Sequence, residues 1–181
     1  MVNDGKVESS YVYGNNGSFN SDNKLVTGEE GQAIISSNSK NANKFFEFAA
    51  NSNVEFGIVD LKGGVSIVTT SHEAEVTSTL PGIVKLFSKL GETGIRQAHS
   101  HPSTITNYNE SVPSGYYDIK IGNPSSLMPD LSKGKPYGDA GNAVQVRKLK
   151  GFENTNFEVY APGNKTKAVY DGVNKAKIIK Y

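Results

Sequence analysis

Apolar residues recur at helical spacing in three stretches, and polar or glycine-rich segments separate them. The pattern predicts helices over residues 40–51, 81–91 and 139–151, the second opened by a proline and the last two closed by glycine. The positions that form the apolar faces are Ala42, Phe45, Phe46 and Ala49; Ile83, Val84, Phe87 and Leu90; and Ala143, Val144, Val146 and Leu149.

Short runs rich in β-branched and aromatic residues predict strands between and after these helices. They lie at residues 54–60, 65–69, 73–78, 94–99, 157–160, 168–171 and 175–180. Helices interspersed with strand pairs predict a mixed α/β fold, in which helices flank a mostly antiparallel sheet.

Two segments lack such periodicity. Residues 1–39 are rich in Asn, Gly and Ser and predict a linker or loosely attached arm, with one small hairpin at 10–19 around an Asn-Gly turn. Residues 102–138 hold five of the seven prolines and predict a long loop inside the domain at 40–181. Such a leader predicts that the domain belongs to a longer polypeptide.

The amino-acid composition argues against several classes of function. The 181 residues suit one domain, and the mean hydropathy of −0.45 comes with no apolar run long enough to cross a bilayer and no secretory signal. A net charge of +1, from 19 basic and 18 acidic residues, gives no electrostatic case for nucleic acid or a membrane surface. Cysteine is absent, so a metal site must use His, Asp and Glu.

The most informative motif is the pair His99 and His101, followed by Pro102. Residues two apart on a strand point to the same face, so both imidazoles can reach one metal ion. Proline then ends strand pairing, as expected where a strand opens into an active-site loop. The alternatives are two ordinary surface histidines, or the His-x-His pair of metal-dependent phosphoesterases.

A catalytic zinc site needs a third protein ligand and an open position for water. Asp139, at the start of the third predicted helix, and Asp118, within the loop, are the carboxylates to consider. Each has a simpler interpretation, as a helix cap and as a turn former. The remaining histidine, His72, falls at a predicted hairpin turn, where a solvated role is expected.

Glu55 is the candidate general base. It lies among apolar residues at the start of a predicted strand, with Gly57 two positions later. A carboxylate in such surroundings is costly unless it has a partner. The alternative is a glutamate on an edge strand that faces solvent.

These motifs, in this order, resemble the JAB/MPN (JAMM) metallopeptidase family over roughly residues 40–172. The resemblance implies the JAB/MPN, cytidine-deaminase-like sandwich and a Zn²⁺ cofactor. By the same resemblance, His99, His101 and an Asp bind the metal and Glu55 activates water. The family Asp opens a helix that leads back to a strand, which favours Asp139 over Asp118.

The sequence departs from the family at the Ser-x-x-Asp motif, whose serine helps to hold the oxyanion. Pro136 stands three residues before Asp139, and Gly115 three before Asp118. Three residues remain candidates for the oxyanion donor: Ser103, Ser114 and Tyr137.

A closer likeness links residues 138–143 and 159–163 to JAB-like domains at the C-termini of RHS-type polymorphic toxins. It implies a secreted or delivered effector, or a processing peptidase, within a larger bacterial protein. The implied partners are a protein or peptide substrate and an immunity protein, with no nucleic acid or membrane.

Three functions follow as hypotheses. The first is a zinc-dependent peptidase or isopeptidase. The second is a metal-dependent nuclease or phosphoesterase, against which the neutral charge argues. The third is a catalytically silent MPN-type interaction module, for which the absent Ser-x-x-Asp motif argues.

Overall fold

A computed structural model describes residues 2–3, 6–7, 9–14, 30–71, 79–102, 111–118 and 127–181. Three helices are present in these parts of the chain: α1 (Ser39–Ala49), α2 (Thr79–Lys89) and α3 (Gly138–Val146). The strands are β1 (Val2–Asn3), β2 (Lys6–Val7), β3 (Ser9–Gly14), β4 (Glu30–Ser36), β5 (Phe56–Leu61), β6 (Ser66–Thr70), β7 (Gly94–Ser100), β8 (Tyr116–Asp118), β9 (Leu127–Pro129), β10 (Asn156–Ala161), β11 (Thr166–Tyr170) and β12 (Lys177–Lys180).

Eight strands form the main sheet, in the order β12-β11-β10-β7-β5-β6-β4-β3. All neighbours pair antiparallel except β7 and β10, which run parallel. Two small antiparallel pairs, β1-β2 and β8-β9, lie outside it. The expectation of a mostly antiparallel sheet flanked by helices is therefore confirmed.

Strand alternation divides the core between the two faces of this sheet. On one face, Ile58 and Val68 pack with Phe46 of α1. On the other, their neighbours Val59 and Ile67 join a larger cluster that includes residues of α2 and α3. The result is three layers, with α1 on one side of the sheet and α2 and α3 on the other.

Helices α1 and α2 begin and end within two residues of the predicted positions, but α3 ends at Val146, five residues before the predicted end. The strands show three differences, of which the first is that β1 and β2 pair within the segment predicted to be a linker. The structure pairs β4 with β6, so residues 30–36 add a strand that the sequence pattern did not predict. The predicted loop at 102–138 contains the short pair β8-β9. The strand predicted at 73–78 and the turn of the predicted hairpin at 15–17 lie outside the described residues.

The parallel pair determines where the chemistry lies. Because β7 and β10 run in the same direction, the chain must return from the end of β7 to the opposite end of the sheet before β10 can begin. It does so through the long loop and α3. The end of β7 and the beginning of α3 are the two ends of that loop.

No helix in the described ranges is long and apolar enough to span a membrane.

Candidate metal centre

The two histidines lie at the end of β7, on the face covered by α2 and α3. His99 pairs with Gly57 of β5 and with Val159 of β10, and its side chain is buried. The backbone N–H of His101 donates to the Tyr160 carbonyl at 2.8 Å, which extends the parallel pairing past the strand end. The two imidazole rings therefore lie side by side, with centroids 5.2 Å apart.

Asp139 comes to these histidines from the first turn of α3. Its Oδ1 lies 3.3 Å from His99 Nε2, and its Oδ2 lies 3.9 Å from His101 Nε2. One ligand atom from each of the three residues falls within 4.8 Å of the other two. The structure thus brings together the three residues expected to bind a metal.

Burial and the nearby opposite charges shift the pKa values of His99 and Asp139 in opposite directions. Burial disfavours the imidazolium of His99, but the Asp139 carboxylate, aided by Glu55, outweighs burial and raises the pKa of His99 to about 9. Burial likewise opposes the charge of Asp139. The two histidines and the Ser114 N–H outweigh it and lower the pKa of Asp139 to about 2. Without a metal ion, the pair is an imidazolium beside a carboxylate.

Glu55 lies immediately before β5 and is buried, 6% exposed. The Thr70 hydroxyl donates to its backbone carbonyl at 2.8 Å, which fixes the chain at this point. Its negative charge contributes to raising the pKa of both His99 and Tyr170. A buried carboxylate therefore accompanies the two histidines and Asp139.

Ser114 holds Asp139 in place, although the two are 25 residues apart in sequence. The Ser114 N–H donates to Asp139 Oδ2 at 2.6 Å, and the Asp139 N–H donates to Ser114 Oγ at 2.8 Å. Asp139 therefore has a serine as its hydrogen-bond partner, but this serine lies 25 residues before it in the loop, not three.

Tyr170 is a neighbour that sequence analysis did not identify. Burial raises its pKa well above the usual value, and the charges of Asp139 and Glu55 add to that effect. Its ring packs against Tyr116 and Phe157, at centroid distances of 5.8 Å in both cases. Nothing in the sequence separates this tyrosine from any other core aromatic on a strand.

The other candidate residues are placed as follows. The backbone of Asp118 ends β8, and its side chain lies outside the described residues, as do Ser103 and His72. The Tyr137 hydroxyl donates to Asp130 Oδ2 at 2.6 Å.

The donor set fits a zinc ion. Zinc accepts imidazole nitrogen and carboxylate oxygen at about 2.0–2.2 Å, and a catalytic site supplies three protein ligands. Tetrahedral ligands at such distances lie roughly 3.3 Å from one another. The 3.3 Å between His99 Nε2 and Asp139 Oδ1 matches that separation.

Comparison with known proteins decides the family. The family model described as JAB-like toxin 1 matches residues 34–143, which is more than half of the chain. The chain belongs to the JAB-like toxin 1 family. The matched part of this JAB-like toxin domain contains Glu55, both histidines and Asp139. No curated protein and no solved structure gives a significant match.

Proposed function

We propose that this JAB-like toxin domain is a zinc-dependent hydrolase of the peptidase or isopeptidase type. The observation that carries the proposal is the convergence of His99, His101 and Asp139, whose ligand atoms lie within 4.8 Å of one another. Two imidazoles and one carboxylate form a three-ligand set that leaves a position open for water. Glu55 adds a buried carboxylate to this group.

In the proposed reaction, three residues would bind the metal ion and a fourth would transfer the proton. His99, His101 and Asp139 would hold Zn²⁺, which when bound lowers the pKa of water and polarises a carbonyl group. Glu55 accepts a proton from the attacking water and returns it to the leaving amine. Burial of Glu55 and His99 keeps bulk water away from that proton transfer.

The family also supports a biological setting. Because the family is described as one of toxin domains, we propose a delivered effector domain within a larger bacterial protein. Its substrate is then a protein or peptide. A dedicated immunity protein would protect the producing cell. The balanced charge of the chain, +1 overall, fits such substrates better than nucleic acid.

Substitution of Glu55 by Gln tests the catalytic proposal. The amide keeps the size of the side chain but cannot accept the proton, so we expect cleavage to fall by at least about 100-fold. Bound zinc, measured by inductively coupled plasma mass spectrometry, should stay near one ion per chain. The probes are a library of bacterial peptides and a lysine-isopeptide-linked peptide pair. Mass spectrometry detects the new amino termini of cleaved peptides and the two separated chains of the isopeptide probe.

The matched control is Glu153→Gln, which makes the same chemical change at an exposed glutamate. It should retain both zinc and cleavage. Zinc binding without cleavage of either probe by the unmodified chain would contradict the hydrolase. Absence of zinc after purification without chelator would favour the interaction module, and cleavage of DNA or RNA instead would favour the nuclease.

A further inference from the structure

Helix α3, which carries Asp139, begins without a cap of its own. The first N–H groups of a helix have no partner within the helix, and a side chain at the N-cap position usually accepts one of them. Here that position is Tyr137, which makes no such bond. Its hydroxyl, on the far end of the ring, donates to Asp130 instead.

Ser114 takes over that role from a distant part of the chain. Its Oγ accepts the N–H of Asp139 at 2.8 Å, and its carbonyl oxygen accepts the N–H of Ala140 at 3.1 Å. These are the second and third residues of the helix, whose N–H groups an N-cap side chain ordinarily serves. The third bond runs the other way, from the Ser114 N–H to Asp139 Oδ2.

The backbone around Ser114 is closely fitted to the start of α3. A side chain on Gly115, which has a φ of +82°, would place its Cβ 2.0 Å from the Tyr137 carbonyl oxygen. A side chain on Gly138 would collide with Ser114. The segment is also tied down on both sides of Ser114, because Ser111 bonds to Thr166 and the Tyr116 hydroxyl accepts the Gly172 N–H.

This fit has a consequence for the carboxylate. Oδ2 is held by the Ser114 N–H at 2.6 Å, while Oδ1 lies 3.3 Å from His99 Nε2. Groups that hydrogen-bond a metal ligand fix its orientation, and their loss typically weakens metal binding by about 10–100-fold.

We propose that Ser114 is a positioning residue for Asp139: it caps α3 from across the loop and thereby turns Oδ1 toward the histidines. The inference rests on the proposed metal site and extends it to a residue outside the three proposed ligands. It assigns to Ser114 a different task from that of an oxyanion donor.

The test is Co²⁺ binding by the full chain, since Co²⁺ reports both affinity and geometry through its visible absorption bands. Ser114→Ala keeps the backbone N–H that donates to Oδ2 but removes the Oγ that accepts the Asp139 N–H, so Asp139 loses one of its two anchors. Co²⁺ binding should weaken by about 10-fold, with a change in band shape. Ser114→Thr keeps the hydroxyl and should stay close to the unmodified chain. The matched control is Ser88→Ala, which removes an exposed serine bond to the Lys150 carbonyl beyond the other end of α3.

A double variant separates positioning from simple capping. In Ser114→Ala with Tyr137→Ser, the new serine can cap α3 locally and recover its stability, measured as the melting temperature of the metal-free protein. We expect Co²⁺ binding to remain weak, because the local cap does not restore the side-chain bond between position 114 and the Asp139 N–H. Full recovery of Co²⁺ affinity would reduce Ser114 to a cap and overturn the proposal.

Two further outcomes are distinguishable. Equal Co²⁺ affinity of Ser114→Ala and the unmodified chain would overturn the role of Ser114 while leaving the metal site intact. Failure of the unmodified chain to bind Co²⁺ or Zn²⁺ would overturn the proposed function, and the positioning role with it.

Discussion

His99 and Asp139 hold opposite charges at neutral pH when no metal is bound. The pKa of His99 is about 9 and that of Asp139 about 2, because each stabilises the charged form of the other. Imidazole binds a metal only when neutral, so the metal must displace the proton on His99. The same residues would therefore form an ion pair in the metal-free state and a ligand set in the proposed metal-bound state.

This pair predicts how the stability of the metal-free protein depends on pH. The contribution of His99 is complete below its unfolded pKa of 6.5 and is lost as pH rises through 9. That of Asp139 is complete above its unfolded pKa of 3.8 and is lost as pH falls through 2. Because both describe one interaction, the contribution of the pair should be highest between pH 3.8 and 6.5 and should decline from pH 6.5 to 9.

Urea unfolding of the chelated protein across this range measures the effect. His99→Gln, which cannot be protonated, serves as the comparison and should lose the decline between pH 6.5 and 9. A decline of equal size in both proteins would show that other groups cause it.

Some residues of the candidate site were predictable from the sequence, and others were not. The His-x-His spacing predicted that both imidazoles point the same way, because residues two apart share a strand face. The choice of Asp139 over Asp118 came from the family resemblance, and the structure brings Asp139 to the two histidines. The contacts of Ser114 and Tyr170 depend on how the long loop and β11 pack. No local pattern encodes that packing.

At the scale of elements, an ionic network ties together three strands on the α1 face of the sheet. Arg96 of β7 binds Asp60 of β5 and Glu158 of β10, each at 2.8 Å. Asn43 of α1 accepts a hydrogen bond from Arg96 and donates one to Asp60. Burial opposes the charge of Glu158, but Arg96 and Lys167 outweigh it and lower its pKa. The network holds β7 from the face opposite the histidines.

Replacement of Arg96 by Met should therefore destabilise the fold. It leaves two nearly buried carboxylates without their central cation, at a cost of about 2–4 kcal/mol in the free energy of unfolding. Lys167→Met is the matched control, because Glu158 keeps Arg96 and the lost pair is more exposed, so the cost should stay below about 1 kcal/mol. Urea unfolding of the two variants at one pH compares them, and equal costs would contradict a central role for Arg96.

Helices and strands also differ in how far the local sequence predicts them. Helices α1 to α3 were predictable because their apolar faces repeat every three to four residues. β4 was missed because its apolar run is only Ala33 to Ile35 and its support comes from pairing with β6 far along the chain. β8 and β9 have three residues each, too few to show an alternation.

At the scale of the whole molecule, the candidate metal centre lies between the sheet and the layer formed by α2 and α3. Its histidines come from the sheet and its aspartate from the helical layer above, so a bound ion would link the two. A ligand that binds only the folded state adds about 4 kcal/mol at 1,000 times its dissociation constant. For a domain of this size that corresponds to roughly 8–16 °C in melting temperature.

Differential scanning calorimetry with excess zinc and then with a chelator should show that difference. A chain with both His99→Ala and His101→Ala should melt at one temperature under both conditions. The same zinc-dependent shift in that variant would place the ion elsewhere.

The crossover between the parallel strands β7 and β10 has a consequence for how such a domain can diversify. His101 and Asp139 stand at the two ends of one long loop, and each is fixed to a regular element, through the Tyr160 carbonyl for one and α3 for the other. Insertions between those ends lengthen the loop at little entropic cost. Selection can therefore rewrite what the domain recognises while the residues proposed for its chemistry keep their places.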